Sequence, residues 1–247
     1  MGVFLGETII IDWVIKIGGS LFPEKAIELV SALKDLKELK NINCLIVTGG
    51  GEFANIIRKY DEQIEFSNDI THVTAIDSMD IIAKLLNDKF DFTNLVYSIE
   101  KAENSLKNND IPIMACSKIL KEDGFDFEIP HSWNITSDSI SLCIANLLKA
   151  KLLITTNVDG IYTQKPTSVG AKFIHEIDAK KLLTFDETSV DLMLAELLLK
   201  FGTNCFVVNG NFPERVLSLI EDNSMDKINT DSYNTNYNFK YTIIRGE

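Results

Sequence analysis

The sequence predicts an α/β fold, a three-layer αβα sandwich around a mostly parallel central sheet. Two observations carry this reading. Four short runs rich in β-branched residues each end in a glycine or turn signal and lead into a helical pattern. The runs are apolar nearly throughout, as strands buried on both faces are. At 247 residues and 45% hydrophobic content, the chain can bury such a core in one large domain.

The first run is Trp13-Val14-Ile15-Lys16-Ile17, followed by Gly18-Gly19-Ser20. A helix is expected from near Pro23-Glu24, because proline suits a first helical turn and Ala26, Leu29, Val30, Leu33 and Leu36 keep a helical period. The second run, Cys44 to Thr48, leads through Gly49-Gly50-Gly51 into a helix carrying Phe53, Ile56 and Ile57. Helical patterns then cover about 71–89 and 139–148, with an irregular stretch between them and a short hairpin expected around Asp123-Gly124. The third run, Leu152 to Thr156, precedes Asn157-Val158-Asp159-Gly160, and the fourth, Cys205 to Val208, precedes Asn209-Gly210, with Pro213 opening another helix. The Asn-, Asp- and Ser-rich stretch 223–238 is expected to be a mobile loop, and Tyr241 to Ile244 to return as an edge strand.

Charge narrows the partners. With 36 acidic against 24 basic residues the formal net charge is −12, which disfavours nucleic acid and anionic membrane surfaces. No apolar run reaches the ~18 residues of a membrane span, and the first residues lack the basic start of a signal peptide. Cys44, Cys116, Cys143 and Cys205 form no C-x-x-C pair and read as buried reduced thiols, consistent with a cytoplasmic protein.

An acidic protein that handles phosphates must concentrate positive charge and bare backbone locally, and two segments do so. In Lys16-Ile17-Gly18-Gly19-Ser20, a lysine at a strand end adjoins glycines that let backbone N–H groups approach an anion. Gly49, Gly50 and Gly51 form a second such cradle after the neighbouring run. Each alone is also compatible with a plain turn. Neither fits the Walker-type P-loop or G-x-G-x-x-G. Before the helix at about 139, His131 to Ser139 is dense in polar groups; Thr136 or Ser137 can cap that helix, and Asp138 in its first turn is either a dipole partner or the carboxylate that holds Lys16.

Together and in this order, K-I-G-G-S, G-G-G-E-F, T-S-D-S and V-D-G-I-Y resemble the amino-acid-kinase superfamily, whose fold is carbamate kinase-like. The segments G-G-G-E-F-A-N, H-S-W-N-I-T-S-D-S, T-S-V-D and V-V-N-G-x-x-P-E-R-V are similar to the archaeal-type (aminomethyl)furanmethyl phosphate kinases of methanofuran biosynthesis. The resemblance implies a single domain over 1–247, with 1–150 as acceptor-side lobe and 151–247 as nucleotide-side lobe. It implies ATP and Mg²⁺ as cofactors and a small phosphate monoester as acceptor. It makes Lys16 the cation at the transferring phosphoryl group, Asp138 its organising carboxylate, and Gly18, Gly19 and Ser20 the ATP-phosphate loop. Gly49, Gly50 and Gly51 would face the acceptor, and Asp159, Gly160 and Tyr162 the nucleotide. His131 is a candidate for the acceptor's phosphate. A homo-oligomer paired through N-terminal helices is implied as well. The chain departs from the pattern at Asn157, where many relatives carry aspartate, and in lacking a clear second lysine, for which Lys165 is the first candidate and Lys200 the second. Two rival functions stay open: a uridylate or isopentenyl phosphate kinase, and a silent nucleotide-binding regulator.

Overall fold

A computed structural model describes residues 9–40, 42–120, 132–133, 135–185, 188–222 and 240–246. The elements run β1 (Trp13–Ile17), α1 (Glu24–Lys40), β2 (Cys44–Thr48), α2 (Gly51–Ile64), α3 (Asn68–Asn87), β3 (Thr93–Val96), α4 (Ile99–Lys107), β4 (Ile111–Met114) and α5 (Cys116–Ile119). They continue as α6 (Ser137–Leu148), β5 (Lys151–Thr156), β6 (Ile161–Tyr162), β7 (Phe173–Ile174), β8 (Glu176–Asp178), α7 (Ala179–Leu182), α8 (Leu192–Phe201), β9 (Cys205–Asn209), α9 (Pro213–Glu221) and β10 (Tyr241–Arg245). The hairpin expected around Asp123-Gly124, the loop expected over 223–238, and His131 lie outside the described residues.

One eight-stranded sheet is ordered β3-β4-β2-β1-β5-β9-β10-β8. The strands from β3 to β9 in that order are parallel; β10 runs antiparallel to β9 and parallel to β8. The chain leaves β1 on one side toward β2 and returns on the other at β5, so the carboxyl ends of β1, β2 and β5 border a topological switch point, where ligands of open α/β sheets bind.

Strand alternation sorts β1 between two cores. Trp13, Ile15 and Ile17 pack with Leu29 and Leu33 of α1 and with Val216 and Leu219 of α9. Val14 packs on the other face with Ile140 and Ile144 of α6 and Leu194 and Leu198 of α8. A core on each face of one sheet is the three-layer sandwich the sequence predicts. Each such buried side chain stabilises the fold by roughly 1.5–3 kcal/mol relative to exposure, so truncating Ile15 at the centre of the sheet would cost about 2–5 kcal/mol. The same alternation places Lys16 on the α6 face.

Five strands went unread in the sequence: the short β6, β7 and β8, and two longer strands of the main sheet, β3 and β4. In β4 the run Ile111-Pro112-Ile113-Met114 contains a proline, which argues against a central strand. Pairing with β2 begins only at Ile113, so the missing N–H of Pro112 falls outside that ladder. Its neighbour β3 is four residues long and alternates in exposure. The expectation of an edge strand at the C-terminal run is corrected: β10 lies between β9 and β8, and the edge is β8, three residues with Glu176 and Asp178 exposed. A short charged strand discourages pairing with another sheet.

Candidate active site

The glycine turns after β1 and β2 meet. Gly49 N–H donates to Ile17 O at 2.8 Å, and Gly18 N–H donates to Thr155 O at 2.9 Å. A Cβ on Gly19 would run into the backbone of Gly51, and Gly51 itself opens α2 at φ +53°. Bare backbone is therefore required here for loop-on-loop contact.

Beneath the turns, Lys16 Nζ lies 2.6 Å from Asp138 Oδ1. Both side chains are more than nine-tenths buried. Asp138 Oδ1 takes no well-angled hydrogen bond; its partner is the ammonium charge. Asp138 sits in the first turn of α6, where Thr136 is the N-cap and accepts the Asp138 N–H at 3.5 Å. Breaking one partner from a buried ion pair costs about 3–5 kcal/mol, because the other charge stays buried and unpaired.

Asp191, the N-cap of α8, joins this pair. Its N–H donates to Asp138 Oδ2 at 3.2 Å. Its carboxylate accepts from Thr136 N–H and Oγ1–H, from Ser139 N–H and Oγ–H, and from Leu194 N–H. Burial, then the nearby Asp138 charge, pushes the Asp191 carboxyl above its ordinary value, against the hydrogen bonds from Ser139 and Thr136.

Two clefts flank these residues. The first, about 260 Å³, is bordered by Gly19, Ser20, Gly49, Gly50 and Gly51 and by Thr136 and Ser137. Its far walls bring residues that the sequence reading missed: Glu52, Asn55 and Arg58 of α2, His72, Ile76 and Met79 of α3, and Trp133. Trp133 is fixed by its ring N–H donating to Asp61 at 2.8 Å, and the Arg58 guanidinium lies over its ring at 4.7 Å. A helical spacing of three from Glu52 through Asn55 to Arg58 was the available signal, since it puts all three on one face.

The second cleft, about 230 Å³, is bordered by Thr156, Asn157, Gly160, Tyr162, Lys165, Thr188 and Ser189. It gathers Gly160, Tyr162 and Lys165 as the sequence suggests. Asp159 is turned elsewhere: its carboxylate accepts from Arg215 at 2.8 Å and Asn209 at 3.1 Å, with Tyr162 at 3.3 Å and Lys240 at 3.6 Å. Burial pushes this carboxyl up, but the hydrogen bonds from Asn209 and Arg215 and the charges of Arg215 and Lys240 hold it below its ordinary value. Gly160 lies against Thr242, whose hydroxyl accepts the Ile161 N–H at 2.9 Å and donates to Ile174 O at 2.5 Å. Lys200 lies in the last turn of α8, roughly 13 Å along the helix from Asp191, too far to act as a second lysine. The four cysteines are buried, and burial pushes the Cys44 and Cys143 thiols up to about 12.

Comparison with known proteins agrees with this architecture. The model of the amino acid kinase family matches residues 13–209. The chain is 38% identical over 209 residues to the (5-(aminomethyl)furan-3-yl)methyl phosphate kinase of Methanocaldococcus jannaschii, covering 84% of this chain and 92% of that one. It is 29% identical over 227 residues to the uridylate kinase of Methanococcus vannielii, covering 85% and 95%. Among solved structures, the uridylate kinase of Archaeoglobus fulgidus superposes with a TM-score of 0.65 at 20% identity, over 85% of this chain and 96% of that one. With the family model spanning β1 through β9, the chain belongs to the amino acid kinase family.

Proposed function

We propose that the protein is an ATP-dependent kinase that phosphorylates a phosphate monoester, (aminomethyl)furanmethyl phosphate, to the diphosphate used in methanofuran biosynthesis. The observation that carries this is the buried Lys16–Asp138 pair beneath two facing glycine turns, with a cleft on either side. The cleft of Gly49, Gly50 and Gly51 takes the acceptor, in the 1–150 lobe; the cleft of Gly160, Tyr162 and Lys165 takes the nucleotide, in the 151–247 lobe. Gly18, Gly19 and Ser20 take the ATP phosphates, Gly19 and Ser20 also bordering the acceptor cleft.

The reaction forms a bond from an acceptor phosphate oxygen to the γ-phosphorus and breaks the bond to the β–γ bridging oxygen, whose electron pair leaves with ADP. The attacking oxygen is already anionic, so no strong general base is needed; positioning and charge neutralisation are. Lys16 supplies a cation and the turns supply N–H donors where charge gathers in the transition state. Among the described residues no group of three or more His, Cys, Asp or Glu is placed to hold a metal. Mg²⁺, when bound with the nucleotide, would supply positive charge against its phosphates.

The acceptor's chemistry matches its cleft. Arg58 supplies a cation for a phosphate, Glu52 a carboxylate for an ammonium, and Ile76, Met79 and Ile140 an apolar wall for a flat ring. The 38% identity to the furan phosphate kinase supports the same acceptor. A uridylate acceptor is the second reading, favoured by the relative at 29% identity. ADP release from Mg-ATP across aminomethylfuranmethyl phosphate, UMP and isopentenyl phosphate tests both. Turnover with the furan phosphate alone is expected; turnover with UMP alone would replace the acceptor, and silence with all three would favour a nucleotide-binding regulator.

A homo-oligomer fits the outer face of the acceptor lobe. Helix α2 has no buried residue, and Phe53, Ile56, Tyr60 and Ile64 line its exposed side beside Ile70, Val73, Ile81 and Leu85 of α3. Contiguous exposed apolar surface of this kind marks a protein interface. Light scattering is expected to give a dimer or higher assembly, and Ile56→Glu with Ile64→Glu to shift it toward monomer; a monomer at micromolar wild-type concentration would remove the proposal. Among the described residues no helix is long and apolar enough to cross a membrane. The reduced buried thiols and the use of ATP support a cytoplasmic enzyme.

A further inference from the structure

We infer that Asp191 is a positioning residue that ties the two clefts to the Lys16–Asp138 pair. The inference rests on the kinase reading above for its kinetic consequence, but its geometry does not. One buried carboxylate takes five hydrogen bonds: two from Thr136 and two from Ser139, at the start of α6, and one from Leu194, in the first turn of α8. It thereby clamps two helix starts together. Thr136 and Ser137 border the acceptor cleft, while Thr188 and Ser189, just before Asp191, border the nucleotide cleft. Ser189 is itself anchored, its hydroxyl donating to Gly160 O at 3.1 Å.

The clamp reaches the reacting groups through one bond. The backbone N–H of Asp191 donates to Asp138 Oδ2, and Asp138 Oδ1 holds the Lys16 ammonium. Asp138 Oδ1 has no well-angled hydrogen bond of its own, so the orientation of this carboxylate depends on what holds Oδ2. Asp191 faces Asp138 directly, and Cys143 and Cys205 also feel its charge. An acidic cap would suffice for α8 alone. Its simultaneous grip on α6, and its N–H on Asp138, are what a bare cap does not need.

The test is a double-mutant cycle in kcat, with Asp138→Asn, Asp191→Asn and the double variant, at a temperature where circular dichroism shows all folded. If Asp191 acts through Asp138, Asp191→Asn lowers kcat about tenfold or more, the scale of a small misplacement of a catalytic group. The double variant is then no slower than Asp138→Asn alone. Losses that multiply would overturn the inference. A second measurement is independent of turnover: the rate at which an acylating reagent modifies Lys16, read by peptide mass spectrometry. It is expected to rise severalfold in Asp191→Asn as in Asp138→Asn, and an unchanged rate would overturn the inference. A wild-type protein that turns over no acceptor would sink the kinase reading while the labelling rate still decides the clamp. Should Asp191→Asn not fold, Thr136→Ala removes part of the same grip and carries the same cycle and labelling.

Discussion

The clefts proposed for the acceptor and for the nucleotide flank the same strands but are built from different materials. The proposed acceptor side has a backbone floor, two glycine turns pressed together, under side-chain walls from α2 and α3, with no residue of α2 buried. The nucleotide side leans on side chains that are already partnered, with Asp159 held by Arg215 and Asn209 before any ligand arrives. A backbone cradle tolerates few changes and takes its ligand's charge on N–H groups. A side-chain wall can lose one member and keep its shape. Substitutions on the two sides should therefore fail in different ways.

The largest effect belongs to the buried ion pair beneath the glycine turns. Lys16→Ala is expected to lower kcat about a hundredfold or more, the scale of losing one preorganised charge-stabilising donor. Near-normal turnover would mean that the clefts do not converge on Lys16. Next comes a split between the clefts. Arg58→Ala should raise the acceptor KM about tenfold, the effect of losing roughly 1.4 kcal/mol of binding, and leave the ATP KM unchanged. Lys165→Ala should do the reverse. Steady-state kinetics with each substrate varied in turn separates the two, and a shared rise in both KM values from either variant would merge what is here assigned to separate sites.

The smallest effect is on the nucleotide side. Asp159→Asn is expected to lower Tm by about 2–4 °C at pH 7, the shift that ~1 kcal/mol produces in a domain of this size. Because the folded Asp159 carboxyl lies below its ordinary value, its contribution is fully present above the unfolded pKa of about 4 and is lost as pH falls through the lower folded value. The gap in Tm between wild type and variant should thus narrow as pH is taken from 7 toward about 3.5. A gap that stays constant would show that the ion pair with Arg215 is not its source.

What the sequence makes legible follows the same division. The strand runs and glycine turns were readable because backbone geometry restricts residue type at each position, as the contact of Gly19 with Gly51 illustrates. The partnership of Lys16 with Asp138 was readable as a possibility from charge and helix position, and the structure puts the two side chains 2.6 Å apart. Side-chain destinations were harder. The V-D-G turn suggests a carboxylate at the nucleotide, yet Arg215, 56 residues along the chain, draws Asp159 to α9. Arg58 shares a helical face with Glu52 and Asn55, but its stacking on Trp133 joins residues far apart in the chain, and no local period reveals that contact. β4 was missed because Pro112 argues against a central strand, and only the register with β2 shows why it is tolerated.

The central claim is transfer of a phosphoryl group onto an existing phosphate, and phosphorus-31 NMR of Mg-ATP mixed with aminomethylfuranmethyl phosphate and the protein tests it most directly. The account predicts that the monoester resonance is replaced by the coupled pair of a new diphosphate ester, in step with ADP. ATP consumed with inorganic phosphate as the product and the monoester untouched would contradict it.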